Sequence, residues 1–215
     1  VVQGWFIAYE GIPAFIVTLA GLSILRGIAL LLTQGFSIPI DPASPFVQLG
    51  RGWFLGVPLP AIIGLVLAVA GWLALTRMRF GRYVTAIGAN TEAARRAGIA
   101  TRRTTQTAYV LTGMAAATAG LIIAARLGSG SSNAAVAFEL EVIAAVVLGG
   151  TALMGGRGTI VGTVLGALTI GVIGNGLILA HVSPFFTQIV TGLIILAAIW
   201  LNTRIFARLG QRSGR

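Results

Sequence analysis

Apolar residues run along this chain in long blocks, separated by shorter stretches that hold most of the charge. Six blocks stand out: Pro13–Thr33, Pro58–Thr76, Thr105–Ala125, Leu140–Met154, Ile160–Ala180 and Phe185–Asn202. An α-helix rises about 1.5 Å per residue, so about 20 residues cross the roughly 30 Å hydrocarbon layer of a bilayer. Five blocks meet that length; Leu140–Met154 is short. The pattern predicts an all-α fold, a polytopic transmembrane helical bundle of about six membrane segments. The fourth either spans or re-enters. Gly149, Gly150, Gly155 and Gly156 crowd its end, and a broken helix is tolerated only where protein or a wet cavity covers its backbone.

Composition agrees. The 215 residues are 56% hydrophobic and 9% charged, whereas soluble domains carry about 25% charged residues. Most of the outer surface therefore faces something other than water. The 30 glycines suit helices that pack closely in lipid. The chain starts at Val1 without a signal-peptide pattern, and is expected to be a piece of something longer, one transmembrane domain over 1–215 truncated at its N-terminus.

The net charge of +10 raises the question of nucleic acid, but its distribution argues against that partner. Every basic residue is arginine. Seven of the 15 lie between Arg77 and Arg103, and Arg204, Arg208, Arg212 and Arg215 follow the last apolar block. Such clusters beside membrane segments are the positive-inside signature. It places residues 77–104 and the C-terminus in the cytoplasm. Arg157, in the turn Gly155–Gly158, then falls on the same side, and Asp41, Glu139 and Glu141 fall on or near the other. With no cysteine and only His181, thiolate and histidine-cluster metal sites are excluded, and no cofactor is expected.

The cytoplasmic loop predicts a short helix over 90–98. Asn90 is a good N-cap, and Glu92 sits in the first turn, where negative charge is favoured. Ala93, Ala94 and Ala97 are strong helix formers. Arg95 and Arg96 fall in the last turn, and Gly98 stands where a left-handed residue ends a helix. About two turns are unstable alone. The helix must pack on its own bundle, anchor the loop to anionic headgroups, or dock a partner.

The run Glu92-Ala93-Ala94-Arg95-Arg96-Ala97-Gly98 resembles the opening of the EAA motif of ATP-binding-cassette importers, without the Ile-x-Leu-Pro that usually follows. Phe15 to Gly27, Phe80-Gly81-Arg82-Tyr83, Ile143 to Gly158, Gly162 to Ala167, and Asn175-Gly176-Leu177 with Val182-Ser183-Pro184 are similar to monosaccharide permeases of the ribose, xylose and galactose type. The similarity runs in family order from Val1 nearly to Phe206, and members carry further helices upstream. It implies a permease subunit in a bacterial inner membrane, working as a homodimer. Its partners would be a cytoplasmic ATP-binding subunit and a periplasmic or lipid-anchored sugar-binding protein. Asn90, Glu92, Ala93, Ala94, Arg95, Arg96 and Gly98 would then form the coupling helix, seated in the ATPase. The chain has no Gly-x4-Gly-Lys-Ser/Thr, so nucleotide would bind elsewhere.

Four residues inside the membrane are candidates for the translocation path: Thr18, Arg26, Glu139 and Asn175. A guanidinium within a membrane segment faces a cavity or snorkels to the interface. Glu139 either compensates a helix dipole, with Glu141, or lines a polar vestibule. The Asn175 amide needs a partner, so it either joins helices or faces a wet path. Ser23, Asn133 and Phe138 could also meet a passing sugar. Gly158, Gly162 and Gly166, with Thr163, Ala167 and Gly171 beside them, predict close helix packing. A branched-chain amino acid permease is the nearest rival. An ion-coupled secondary transporter would place an acid or histidine within its segments, and an intramembrane enzyme would need a cluster of such groups; both are disfavoured.

Overall fold

The structure is a computed structural model and describes residues 1–153 and 155–181, with scattered positions between 186 and 197. The expected sixth segment, Phe185–Asn202, and the arginines from Arg204 onward lie outside the described residues.

In chain order the first helices are α1 (Val2–Ala8), α2 (Ala14–Thr33), α3 (Pro45–Arg51) and α4 (Leu59–Thr76). Next come α5 (Arg79–Ala89), α6 (Thr91–Arg96), α7 (Thr101–Leu127), α8 (Phe138–Leu148) and α9 (Ile160–Leu179). Helices α2, α4, α7 and α9 are long and apolar enough to cross a membrane. Their ends follow local chemistry. Pro13 and Pro58 precede α2 and α4, and the Thr159 side chain accepts a hydrogen bond from the Gly162 amide at 3.1 Å to start α9. Gln34 (φ 50°) and Gly128 (φ 68°) turn left-handed to end α2 and α7.

Helix α7 starts four residues before the expected Thr105. No glycine or proline interrupts Thr101–Thr104, and Thr104 is buried, its hydroxyl donating to the Ala100 carbonyl at 3.0 Å. Its 27 residues rise about 40 Å, so its two ends mark opposite faces of the molecule. At one end, β1 (Ile38–Pro39) pairs antiparallel with β4 (Ser129–Gly130). Helix α3 docks there too, with Gly50 against the backbone of Ala125 and Arg126, and Arg51 Nε donating to the Arg126 carbonyl at 3.0 Å. A small hairpin, β2 (Trp53–Phe54) and β3 (Val57–Pro58), leads into α4 at the same end. At the other end lie α5, α6 and Arg102, which sits 6.0 Å from the Tyr9 ring.

Only part of the fourth segment is helical. Helix α8 has 11 residues, a rise of about 16 Å, half of the hydrocarbon layer. It stops at Leu148 rather than near Met154 because Gly149 and Gly150 (φ 83°) cap it. The chain leaves β4 at one end, passes through residues 131–137 and then α8, and emerges at the arginine-rich end, where Gly155 and Gly156 touch Gly88 and Ala89. The crossing is completed by half a helix. Ala135 (φ 54°) and Ala137 (φ 63°) hold left-handed conformations in the irregular half, a conformation that costs a non-glycine residue about 1–2 kcal/mol.

Few side chains are enclosed: Val47, Ala94, Thr104, Ala125, Ala144, Ala145 and Val147 are the buried ones among the described residues. Packing rests on small residues instead. Helices α8 and α9 run antiparallel, with Gly149 against Gly162 and Gly166 against the Ala145 carbonyl. The long helices otherwise present aliphatic and aromatic side chains outward, as a lipid-facing surface does.

Candidate functional site

The arginine-rich end carries the best-defined candidate. Asn90 is both the last cap of α5 and the first cap of α6, and its side chain accepts from the Ala93 amide at 2.9 Å. Ala94 is buried, holding α6 to the bundle. At the far end the Ile99 amide donates to Ala94 at 3.1 Å and the Gly98 amide to Arg95 at 3.0 Å, with Gly98 at φ 81°. That pair of bonds is a Schellman closure, and the left-handed position suits glycine.

The seven residues expected in this helix thus form one unit. Its outward surface is charged. Glu92 pairs with Arg95 and with Arg96, each at 3.1 Å, and the two arginine side chains remain 70% and 80% exposed. Hydrogen bonds from Arg95 and then Arg96, with the charge of Arg95, hold the Glu92 carboxyl below its ordinary 4.5. A lowered folded-state pKa means the carboxylate's contribution is present at neutral pH and is lost as pH falls through that value. Amide exchange at Ala93–Ile99 should therefore quicken, beyond its intrinsic pH dependence, as acid protonates Glu92. In Glu92→Gln it should be quick already at neutral pH. Equal protection in both proteins at both pH values would show that the ion pairs do not support α6.

Sequence reasoning missed what stands behind this helix. Residues 79–89 were expected as loop, yet they form α5, with Gly81 buried against the Leu75 backbone. The signal was available: Phe80, Tyr83, Val84 and Ile87 recur at i, i+3, i+4 and i+7. The Gly155–Gly156 turn packs on the other end of α5, which puts Arg157 at the arginine-rich end of the molecule.

The four membrane candidates are not gathered into one pocket. Thr18 donates its hydroxyl to the carbonyls of Ala14 (2.9 Å) and Phe15 (3.1 Å) in its own helix. Arg26 is half-buried on α2 and forms no hydrogen bond or ion pair among the described residues. Glu139, with Glu141, occupies the first turn of α8, where the helix dipole favours both. Asn175 is exposed on α9. The antiparallel register of α8 and α9 brings Glu139 and Asn175 to the same depth within about one turn. A cavity of about 660 Å³ lies between α1, α2 and α7, lined by Phe6, Ile16, Val17, Ile24 and Tyr109 among others, and none of the four candidates lines it. Ser23, Asn133 and Phe138 are exposed, on α2, in the irregular half-crossing and at the start of α8 respectively.

Comparison with known proteins adds the context. A family profile described as the branched-chain amino acid transport system / permease component matches residues 1–199. The probable ABC transporter permease protein YphD of Escherichia coli (strain K12) is 46% identical over 197 residues, 92% of this chain and 59% of that protein. The ribose import permease protein RbsC of Bacillus subtilis (strain 168) is 43% identical over 203 residues, 94% of this chain and 63% of that protein. The L-arabinose transport system permease protein AraH of Escherichia coli (strain K12) is 40% identical over 214 residues, 100% of this chain and 63% of that protein. The chain thus spans about three-fifths of the length of these relatives. No solved structure matches.

Proposed function

The chain belongs to the permease-component family described for branched-chain amino acid transport systems, and on that premise we propose that it forms the membrane pathway of an ATP-driven importer for a monosaccharide. The observation that carries the cargo class is the identity of 40% and more, over nearly the whole chain, to permeases named for ribose and L-arabinose. Within the family these relatives favour sugar over amino acid.

Support for the mechanism comes from the arginine-rich end, read as cytoplasmic by the positive-inside rule. There α6 is capped at both ends, seated on the bundle by Ala94, and presents Arg95 and Arg96 to solvent. A docking helix needs these features: a fixed frame and an exposed charged surface. Asn90, Glu92, Ala93, Ala94, Arg95, Arg96 and Gly98 are proposed as the coupling helix, within the cytoplasmic loop 77–104 of a single permease domain. The partners proposed with it are a second copy of the permease, a cytoplasmic ATPase subunit, and a periplasmic or lipid-anchored sugar-binding protein. The location proposed is a bacterial inner membrane, with the C-terminus inside.

For the path, Arg26, Glu139 and Asn175 stay as proposals, because each leaves polar groups free of bonds to neighbouring helices among the described residues. Thr18 is the weakest, since its hydroxyl is already bonded to its own helix.

The test is uptake by the importer reconstituted in vesicles with its ATPase and binding protein. Labelled ribose, xylose, galactose and L-arabinose should be offered beside labelled leucine, with and without ATP. ATP-dependent entry of one or more sugars and not of leucine is expected. Leucine entry alone would overturn the cargo assignment in favour of the amino acid reading that the family description carries.

A further inference from the structure

We infer that Gly88 and the Gly155–Gly156 turn form a rigid joint that carries movement of the docking helix α6 into the half-helix α8. The inference rests on the importer reading above. Helices α5 and α6 share Asn90 as their single linking residue, so α6 cannot be displaced without taking the end of α5 with it. That end meets the turn backbone to backbone. A methyl group on Gly88 would press on the Gly156 nitrogen and lie 3.2 Å from the Gly155 carbonyl carbon. Added to Gly156, it would lie 2.9 Å from the Ala89 Cα and nitrogen; added to Gly155, 3.0 Å from the Gly88 Cα. The contact is closed from both sides.

The turn is itself braced. Ala152 donates its amide to the Arg157 carbonyl, and Gly155 to the Ala152 carbonyl, each at 2.9 Å. Just before it the Gly149 and Gly150 amides donate to Ala145 and Val147 at 2.9 Å and the Thr151 amide to Val146 at 3.2 Å, so the chain entering the turn is closed onto the last turn of α8. Where side chains separate two elements, rotamer changes can absorb a small displacement. Where two backbones touch, nothing is available to yield. The other end of α8 adjoins the irregular residues 131–137, with Ala135 and Ala137 at positive φ. A push on α6 would thus arrive inside the membrane at the point where the helix is broken. Gly88, Gly155 and Gly156 act in this reading as positioning residues that set where α8 sits.

Two experiments on the reconstituted importer test the joint. Gly88→Val should lower sugar uptake by about tenfold or more, the size of an ordinary coupling free energy. Insertion and recovery of the ATPase subunit should be retained, and ATP hydrolysis should continue without matching transport. The second takes the unbridged double-cysteine protein as its own reference, so any cost of substituting Ala89 at the contact cancels. Ala89 and Arg157 are both exposed, and the chain has no cysteine of its own. Ala89→Cys with Arg157→Cys can therefore be bridged by a short thiol-reactive linker. A joint that moves as one body predicts that bridging leaves uptake at the level of the unbridged protein. Loss of uptake on bridging, or normal uptake by a well-inserted Gly88→Val protein, would overturn the inference. Should Gly88→Val fail to insert, the bridged protein decides alone. Failure of the importer reading would show separately, as absence of ATP-driven uptake before any substitution.

Discussion

Replacing Gly166 by alanine, a single added methyl group, is expected to break the pairing of α8 and α9. The added carbon would press on the Ala145 carbonyl of α8 and stand 2.9 Å from the nitrogen of Gly149, its C-cap, both backbone atoms. Neither can rotate away. The helices must separate, and the opposing contact of Gly149 with Gly162 goes with them. Overpacking of this kind costs about 1–3 kcal/mol and occasionally more, and in lipid no hydrophobic drive returns the helices to each other. The expected result in detergent is a clear fall in thermal midpoint, or loss of the monodisperse species by size exclusion. Gly171→Ala is the control. It lies on the same helix with nothing within 4 Å, so it should leave the midpoint nearly unchanged. Equal midpoints for both variants would mean that the close approach of α8 and α9 is not what holds them.

That contrast also marks how far the sequence could be read. The four-residue spacing of Gly158, Gly162 and Gly166 predicted a close helix approach, and Gly162 and Gly166 do meet α8. The spacing alone did not separate Gly166, which is buried, from Gly171, which faces open space. Which side a helix turns inward is decided by its neighbour. The long segments were legible because hydropathy over twenty residues is a summed signal; Pro13, Pro58 and Ile160 marked three starts within a residue. The cap residues of α6 were legible because Asn90 and Gly98 act through bonds within nine residues of chain. Helix α5 was overlooked because Arg79 and Arg82 drew the reading toward charge, although Phe80, Tyr83, Val84 and Ile87 carried the helical period. The joint of Gly88 with Gly155 was beyond reach, since it joins segments more than sixty residues apart and glycine leaves no pattern of its own. Arg26, Thr18, Glu139 and Asn175 were chosen by residue type and depth, and the structure does not assemble them into one pocket.

Reversing both exposed arginines of α6, Arg95→Glu with Arg96→Glu, is expected to abolish recovery of the ATPase subunit while the permease still inserts. The two guanidinium groups are the outermost charges of the helix, 70% and 80% exposed, and among the described residues they pair only with Glu92. Reversal leaves three carboxylates on six residues and places two of them at the helix C-terminus, where negative charge is disfavoured. It also reverses the sign of the surface that α6 offers to a partner, which changes steering as well as contact. Each 1.4 kcal/mol lost is about tenfold in affinity, so two reversed charges can remove stable association. Gly98→Val should act on the same contact by another route. Valine at φ 81° is a steric outlier, so the Schellman closure to Ala94 and Arg95 would open and α6 would lose the frame that presents its arginines. Salt separates the two causes. Raising ionic strength should weaken the unsubstituted complex through screening, as charge reversal does. The Gly98→Val defect should persist at every salt concentration. Affinity co-purification from solubilised membranes, at low and high salt and with permease recovery as the reference, reads all three. Undiminished ATPase recovery with the doubly reversed helix would remove α6 from the docking surface and return it to the alternative of a loop anchor at the lipid headgroups.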